Sequence, residues 1–153
     1  MTIREAQPPD TERCIELLHS LFSQEHEFTP DPALQEKGLD MIINNPQTGR
    51  ILVAEDEDGG RIAGMLVLLF TVSTALGCRV ILLEDMVVDP AMRSVGIGSL
   101  LLHEADAFAS RNGFGRITLL TDHDNKAAHE FYIRNGYERS DMVVFRKRIL
   151  SCT

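Results

Sequence analysis

An apolar strand, Val80-Ile81-Leu82-Leu83-Glu84-Asp85-Met86-Val87-Val88, runs through Asp89-Pro90 into the turn Arg93-Ser94-Val95-Gly96-Ile97-Gly98, and an amphipathic helix follows. Proline cannot extend a ladder, so the strand ends there. The helix carries Ile97, Leu100, Leu101, Ala105 and Phe108 on one face, the spacing of a stripe turned to a core, and Asn112-Gly113 stops it. Ile117 to Thr121 then reads as a second buried strand. A full helix between two strands predicts a parallel pair joined by a right-handed crossover. The first amides of such a helix have no partner within it and carry partial positive charge, so they bind anions. Gly96 and Gly98 let a phosphate approach the backbone with no Cβ in the way. A dinucleotide fingerprint fits less well, because its third glycine falls at Leu101 and the turn lies late in the chain.

The remaining elements predict a mixed α/β domain spanning 1–153. A strand at Thr2 to Ala6 leads to a helix from about Pro9 to Phe22, with Ile15, Leu18, Leu21 and Phe22 at helical spacing. The irregular acidic segment Ser23 to Pro30 follows, and Asp31-Pro32 reads as an N-cap and first-turn proline opening a helix to about Asn45. Ile51 to Glu55 and Ile62 to Thr74 are strands joined by the hairpin signal Asp56-Glu57-Asp58-Gly59-Gly60, and Leu76-Gly77 turns the chain into the strand at 80–88. Late in the chain, a helix from Asn125 to Arg134 stops at Asn135-Gly136, and Met142 to Arg148 reads as a last strand.

The 153 residues, 44% of them apolar, suffice for a single core. The longest apolar run, Met65 to Phe70, is strand-sized, and the N-terminus lacks a signal peptide's pattern, so a cytoplasmic protein with no membrane partner is expected. Cys14, Cys78 and Cys152 have neither metal-ligand spacing nor a disulfide framework and are expected to be reduced thiols. The net charge of −8 argues against a nucleic-acid surface and is compatible with a cationic partner. His19, His26, His103, His123 and His129 show no metal spacing, and no metal is expected. His123, between Asp122 and Asp124, is either an exposed loop residue or a contact to a ribose or phosphate.

The element order resembles the GNAT superfamily of N-acetyltransferases, and two motifs agree with it. Arg93, Gly96 and Gly98 fill the pattern [Arg or Gln]-x-x-Gly-x-[Gly or Ala], with which that superfamily binds the pyrophosphate of acetyl-CoA. Asn125, Ala128, Phe131 and Tyr132 fill its Asn-x-x-Ala-x-x-Phe-Tyr signature, and Gly136-Tyr137 follows where a Gly-aromatic pair is usual. The chain departs at Ser94-Val95, where family members often have glycine and a basic residue. The resemblance implies a central mixed sheet of about six to seven strands flanked by about four helices, acetyl-CoA as co-substrate, and a homodimer formed through the last strands. It implies cofactor contacts from Met86, Val87, Val88, Arg93, Ser94, Val95, Gly96, Ile97, Gly98, Ser99, Asn125, Ala128 and Phe131. Among these, the amides at Met86 to Val88 would pair with the pantetheine arm. Phe70 to Gly77 and Leu83 to Val88 further resemble the diamine (spermidine/spermine) N-acetyltransferase branch and its bacterial relatives, with Ala75 where that branch often has an aromatic residue.

Acetyl transfer needs a neutral amine, and an alkyl ammonium of pKa about 10.4 is deprotonated at pH 7 to roughly one part in 10³ to 10⁴, a handicap of about 4 to 5 kcal/mol. An ordinary carboxylate is too weak to remove that proton directly. Glu84 must therefore have a raised pKa or work through a relaying water, and either route makes the rate rise with pH. Strand alternation implies that Glu84 and Asp85 do not face the same side. By resemblance Glu84 is the base, with Asp85 a second candidate that binds substrate or a backbone group instead. Tyr132 suits protonation of the departing thiolate, since a phenol lies only about 2 kcal/mol uphill of a thiol. Asn125 is an N-cap, a cofactor contact, or both. Glu25, Glu27 and Asp31 are either a solvated acidic loop or a segment that attracts a cationic acceptor. The expected activity is transfer of acetyl to a small-molecule primary amine, a diamine, polyamine or amino-acid-like compound, by direct attack in a ternary complex. The alternatives are a protein or peptide amine as acceptor, or a regulatory domain that binds CoA without turnover.

Overall fold

The computed structural model describes residues 1–25 and 27–149. His26 and Cys152 therefore lie outside the described residues. The chain divides into two compact units, Met1–Leu120 and Thr121–Thr153.

The first unit is a five-stranded sheet with its strands in sequence order. Its strands are β1 (Thr2–Glu5), β2 (Gly49–Glu55), β3 (Ile62–Ser73), β4 (Cys78–Val88) and β5 (Ile117–Leu119). The first four pair antiparallel and β5 runs parallel to β4, as the helix between them predicts. Helices α1 (Thr11–Phe22), after a short 3-10 turn at Pro8–Asp10, and α2 (Pro32–Ile43) precede β2, and α3 (Ile97–Arg111) joins β4 to β5. Asp31 caps α2, its carboxylate accepting from the amides of Ala33 at 3.1 Å and Leu34 at 3.3 Å.

One face of the sheet packs against α1 and α2 through a cluster that includes Cys14, Leu17, Leu18, Leu39, Ile51, Val53, Met65, Val67 and Val87. Burial raises the Cys14 thiol to about 11, so it stays protonated and acts as a small apolar side chain. On α3 the buried stripe is Ile97, Leu101, Leu102, Ala105, Phe108 and Ala109. Leu100 is 44% exposed, and Leu102 takes the core position expected of it. Gly64 of β3 admits the first turn of α3: an added Cβ would lie 3.0 Å from the Val87 carbonyl and 3.4 Å from Ile97 Cγ2.

Two expected strands differ from the sequence reading. β5 is shorter than Ile117 to Thr121 and only half-buried, because it is the edge of the sheet and pairs with β4 over Ile81–Leu83 alone. Met142 to Arg148 forms no strand, and Met142 and Phe145 are about nine-tenths exposed. Alternating apolar residues make a strand only where a partner strand satisfies the backbone, and none pairs with this stretch among the described residues. The sheet accordingly has five strands rather than six or seven.

The second unit holds α4 (Lys126–Arg134), capped by Asn125, whose carboxamide oxygen accepts from the Ala128 amide at 3.1 Å. Asn135-Gly136 ends it with Gly136 at φ 89°.

Candidate active site

The carboxylates of the site come from a bulge in β4. Val67 pairs with Glu84 and Met65 with Val87, so β4 carries one more residue than β3 across this interval. Asp85 sits in the bulge with φ 51°, in the left-handed region that aspartate tolerates better than most residues. The bulge overturns the alternation argument. Cross-strand partners share a face, so Glu84 lies on the side of Val67, and Asp85 lines a cavity with that same Val67.

The cavity, partly open to solvent, has a volume of about 270 Å³ and lies between α1, α2 and the sheet. Its walls are largely apolar, with Leu18, Phe22, Phe28, Leu39, Ile42 and Val67 among them, and the Phe22 and Phe28 rings lie 5.6 Å apart. Burial pushes the Asp85 carboxyl up to about 7, and the negative charges of Glu84 and Glu25 add to the effect. Glu25 is thus brought to bear on the site, while Glu27 is exposed and does not line the cavity. Asp31 and Gln35 line it as well. The sequence reading missed Gln35, which is buried on α2 with both amide atoms lacking a hydrogen-bond partner. Its signal was a polar residue one helical turn before the core residue Leu39.

β4 then delivers the chain to the turn. The β4–β5 ladder covers only Ile81–Leu83, so Glu84 to Val88 runs on past the end of β5. Asp89 fixes the exit from the strand: its carboxylate accepts from the Arg13 guanidinium, from Arg61 at 2.8 Å and from the Ala91 amide at 2.9 Å. These bonds hold its pKa below the usual carboxylate range, the Ala91 amide first among them. Arg93 donates through Nε to the Val88 carbonyl at 3.4 Å. Ser94 (φ 67°) and Gly96 (φ 86°) both take left-handed conformations. Gly96 caps α3 without any side-chain hydrogen bond, and a Cβ added there would meet nothing within 4 Å. Ile97 is anchored in the core, while Ser94, Val95 and Ser99 are exposed and Gly98 is half-buried. An open, uncapped helix start with a neighbouring arginine fits a diphosphate.

Within the second unit, Tyr132 meets Phe131 edge-on at 5.3 Å and Tyr137 at 5.9 Å. Burial raises its phenol pKa, which keeps it protonated at neutral pH and able to donate. His129 bonds the Asp122 carbonyl at 2.8 Å, and His123 lies in an exposed turn. Among the described residues no cluster of His, Cys, Asp or Glu is arranged to hold a metal ion, and no helix is long and apolar enough to cross a membrane.

A mixed sheet that carries a bulged acidic strand into an uncapped, glycine-bearing helix start agrees with the acyltransferase class that the two sequence motifs resemble. The match to a family model agrees: residues 11–137 fit the acetyltransferase (GNAT) family, and the chain belongs to it. The chain is 34% identical over 141 residues to the uncharacterized N-acetyltransferase YhfO of Bacillus subtilis, covering 90% of each. Over 58 residues, 38% of each chain, it is 40% identical to the aminoalkylphosphonate N-acetyltransferase of Salmonella typhimurium. A structure described as a possible acetyltransferase from Clostridium difficile superposes with a TM-score of 0.87 at 15% identity, covering 98% of each chain. The chain is therefore a GNAT N-acetyltransferase, from a family that uses acetyl-CoA as co-substrate.

Proposed function

We propose that the protein moves an acetyl group from acetyl-CoA to a primary amine of a small molecule, with both substrates bound at once. The observation that carries this reading is Asp85, a carboxyl raised to about 7, in an apolar cavity on the strand that leads directly to the α3 start. Acetyl-CoA supplies the activated acetyl group and a thiolate leaving group. The amides at the start of α3, with Ser94 to Ser99 and Arg93, would hold its diphosphate, and Met86 to Val88, in the part of β4 beyond the β5 ladder, would pair with its pantetheine arm. The family pattern supports Asn125, Ala128 and Phe131 of the second motif as residues that contact acetyl-CoA.

The proton of the ammonium goes to Asp85. An amine of pKa about 10.4 is uphill of an ordinary aspartyl carboxylate by about 9 kcal/mol, and of one near 7 by about 5 kcal/mol. Glu84 acts as the second carboxylate of the pair, holding Asp85 in its raised range and drawing the ammonium in. Tyr132, protonated at neutral pH, donates to the departing sulfur.

A cavity of about 270 Å³ suits a small acceptor better than a peptide. The likeness of β3 and β4 to the diamine N-acetyltransferase branch supports an alkyl amine as acceptor. One catalytic domain over 1–153, working as a cytoplasmic homodimer, is the setting that composition and family analogy support. The test is acetylation of an amine panel with free-thiol detection. Wild-type turnover of at least one amine is expected, with Asp85→Asn slower by a factor of about 10² and Tyr132→Phe by about tenfold or more. Unchanged rates in both variants at every pH would remove these roles.

A further inference from the structure

Resting on that reading, we infer that the acceptor is a compact amine bearing one neutral hydrogen-bonding group, which Gln35 recognises in the cavity it shares with the carboxyl that takes the amine. Gln35 is only 8% exposed, and neither its Nε2 nor its Oε1 has a hydrogen-bond partner. A buried carboxamide left unpaired disfavours the folded state, so such a group calls for a partner that arrives with the ligand. Leucine would fill the same helical position without that penalty, since Leu39 does so one turn later. Gln35 lines the same cavity as Asp85, so one small molecule can meet both.

The other lining groups set the class. Asp85 and Asp31 both line the cavity, and the charges of Glu84 and Glu25 bear on Asp85, so the site is anionic and favours an ammonium. Gln35 is the buried neutral polar group of that lining. A carboxamide cannot neutralise a substrate carboxylate, which disfavours free amino acids. Size points the same way: a cavity of about 150 Å³ holds a benzene ring. One of about 270 Å³ accommodates a ring or branched chain plus a short aminoalkyl arm.

The experiment uses the full chain with CoA present. Calorimetry measures binding of 2-phenylethylamine, tyramine, phenylalanine, putrescine and spermidine, and thiol release from acetyl-CoA measures transfer to each. Tyramine, whose hydroxyl supplies the neutral group, is expected to bind at least tenfold tighter than phenylalanine and several-fold tighter than 2-phenylethylamine, putrescine and spermidine. In Gln35→Leu the advantage of tyramine over 2-phenylethylamine disappears, 2-phenylethylamine binding is retained, and the melting temperature rises. Binding of 2-phenylethylamine, putrescine, spermidine or phenylalanine equal to or tighter than that of tyramine overturns the inference, as does an unchanged tyramine to phenylethylamine ratio in the variant. Preferential tyramine binding without transfer to any amine sinks the proposed function and leaves the inference standing. Transfer that favours diamines does the reverse, and absence of both binding and transfer defeats both.

Discussion

Asp85 gathers function and strain at one position. Its left-handed backbone and raised pKa are both unfavourable, and both arise because the bulge turns it into the cavity. The charged groups that bear on it are Glu84 on its own strand and Glu25 after α1, with Asp31 of α2 lining the same cavity. Its folded pKa of about 7 lies above the unfolded value, so the native state binds more protons and its stability falls as pH rises from about 4 through 7. Asp85→Asn keeps a residue that tolerates the conformation and removes that loss. The variant should melt higher than wild type at pH 8, the two converging near pH 4. Its kcat/KM should lose the inflection near pH 7 that wild type shows, and melting curves with a pH–rate profile check both. Ser94 is a simpler case. It occupies a left-handed position, at φ 67°, where family members often have glycine. Relief of about 1–2 kcal/mol, offset in part by the greater entropy of unfolded glycine, should make Ser94→Gly more stable by about 0.5–1 kcal/mol. Acetyl-CoA affinity should change little, because the cradle is made of backbone, and denaturant titration with calorimetry would show it. The sequence displayed this departure but not its φ, so the cost was legible only in the structure.

Among the elements, β4 carries most of the function and was only half legible. Its length, its end at Asp89-Pro90 and the helix after it follow from composition and turn chemistry, because proline and glycine act locally. The bulge does not, because it depends on the register against β3, and nothing in Leu83 to Val88 marks the extra residue. The same limit explains Met142 to Arg148, whose alternation reads as a strand although pairing decides whether one forms. Leu100 and Leu102 of α3 flank opposite edges of the apolar stripe, and which of them is buried depends on how the helix docks on the sheet. The turn itself is held by Asp89, which joins α1 through Arg13 to β3's neighbourhood through Arg61. Asp89→Ala would leave the half-buried Arg13 with only Glu16 and the Ile62 carbonyl as partners and uncap the Pro90–Met92 turn. We expect it to cost about 2–3 kcal/mol and to weaken acetyl-CoA binding as well, measured by urea denaturation and calorimetry. Because its folded pKa is depressed, the stability that Asp89 adds is present above about pH 4 and is lost as pH falls through the folded value. The variant and wild type should therefore differ less at pH 3 than at pH 7.

Across the whole molecule, charge works in opposite directions on the two substrates. The chain carries a net charge of −8, while the family's co-substrate is an anion and the proposed acceptor a cation. Long-range attraction and repulsion are screened over about 10 Å at 0.1 M salt, so they respond to ionic strength, whereas short contacts such as those of Asp85 inside the cavity respond much less. Raising salt from about 0.02 to 0.3 M should therefore raise KM for the amine and lower KM for acetyl-CoA, each by about two- to fivefold. The local cradle moderates the second trend, since Arg93 and the α3 start give the diphosphate a positive neighbourhood within the negative field of the chain. Arg93→Gln should thus steepen the fall in acetyl-CoA KM with salt and leave the amine trend as it was. Steady-state kinetics over a salt series measures all of these slopes. Parallel trends for the two substrates would mean that the net charge does not govern encounter, leaving only the short-range contacts of the cavity and the turn to set affinity.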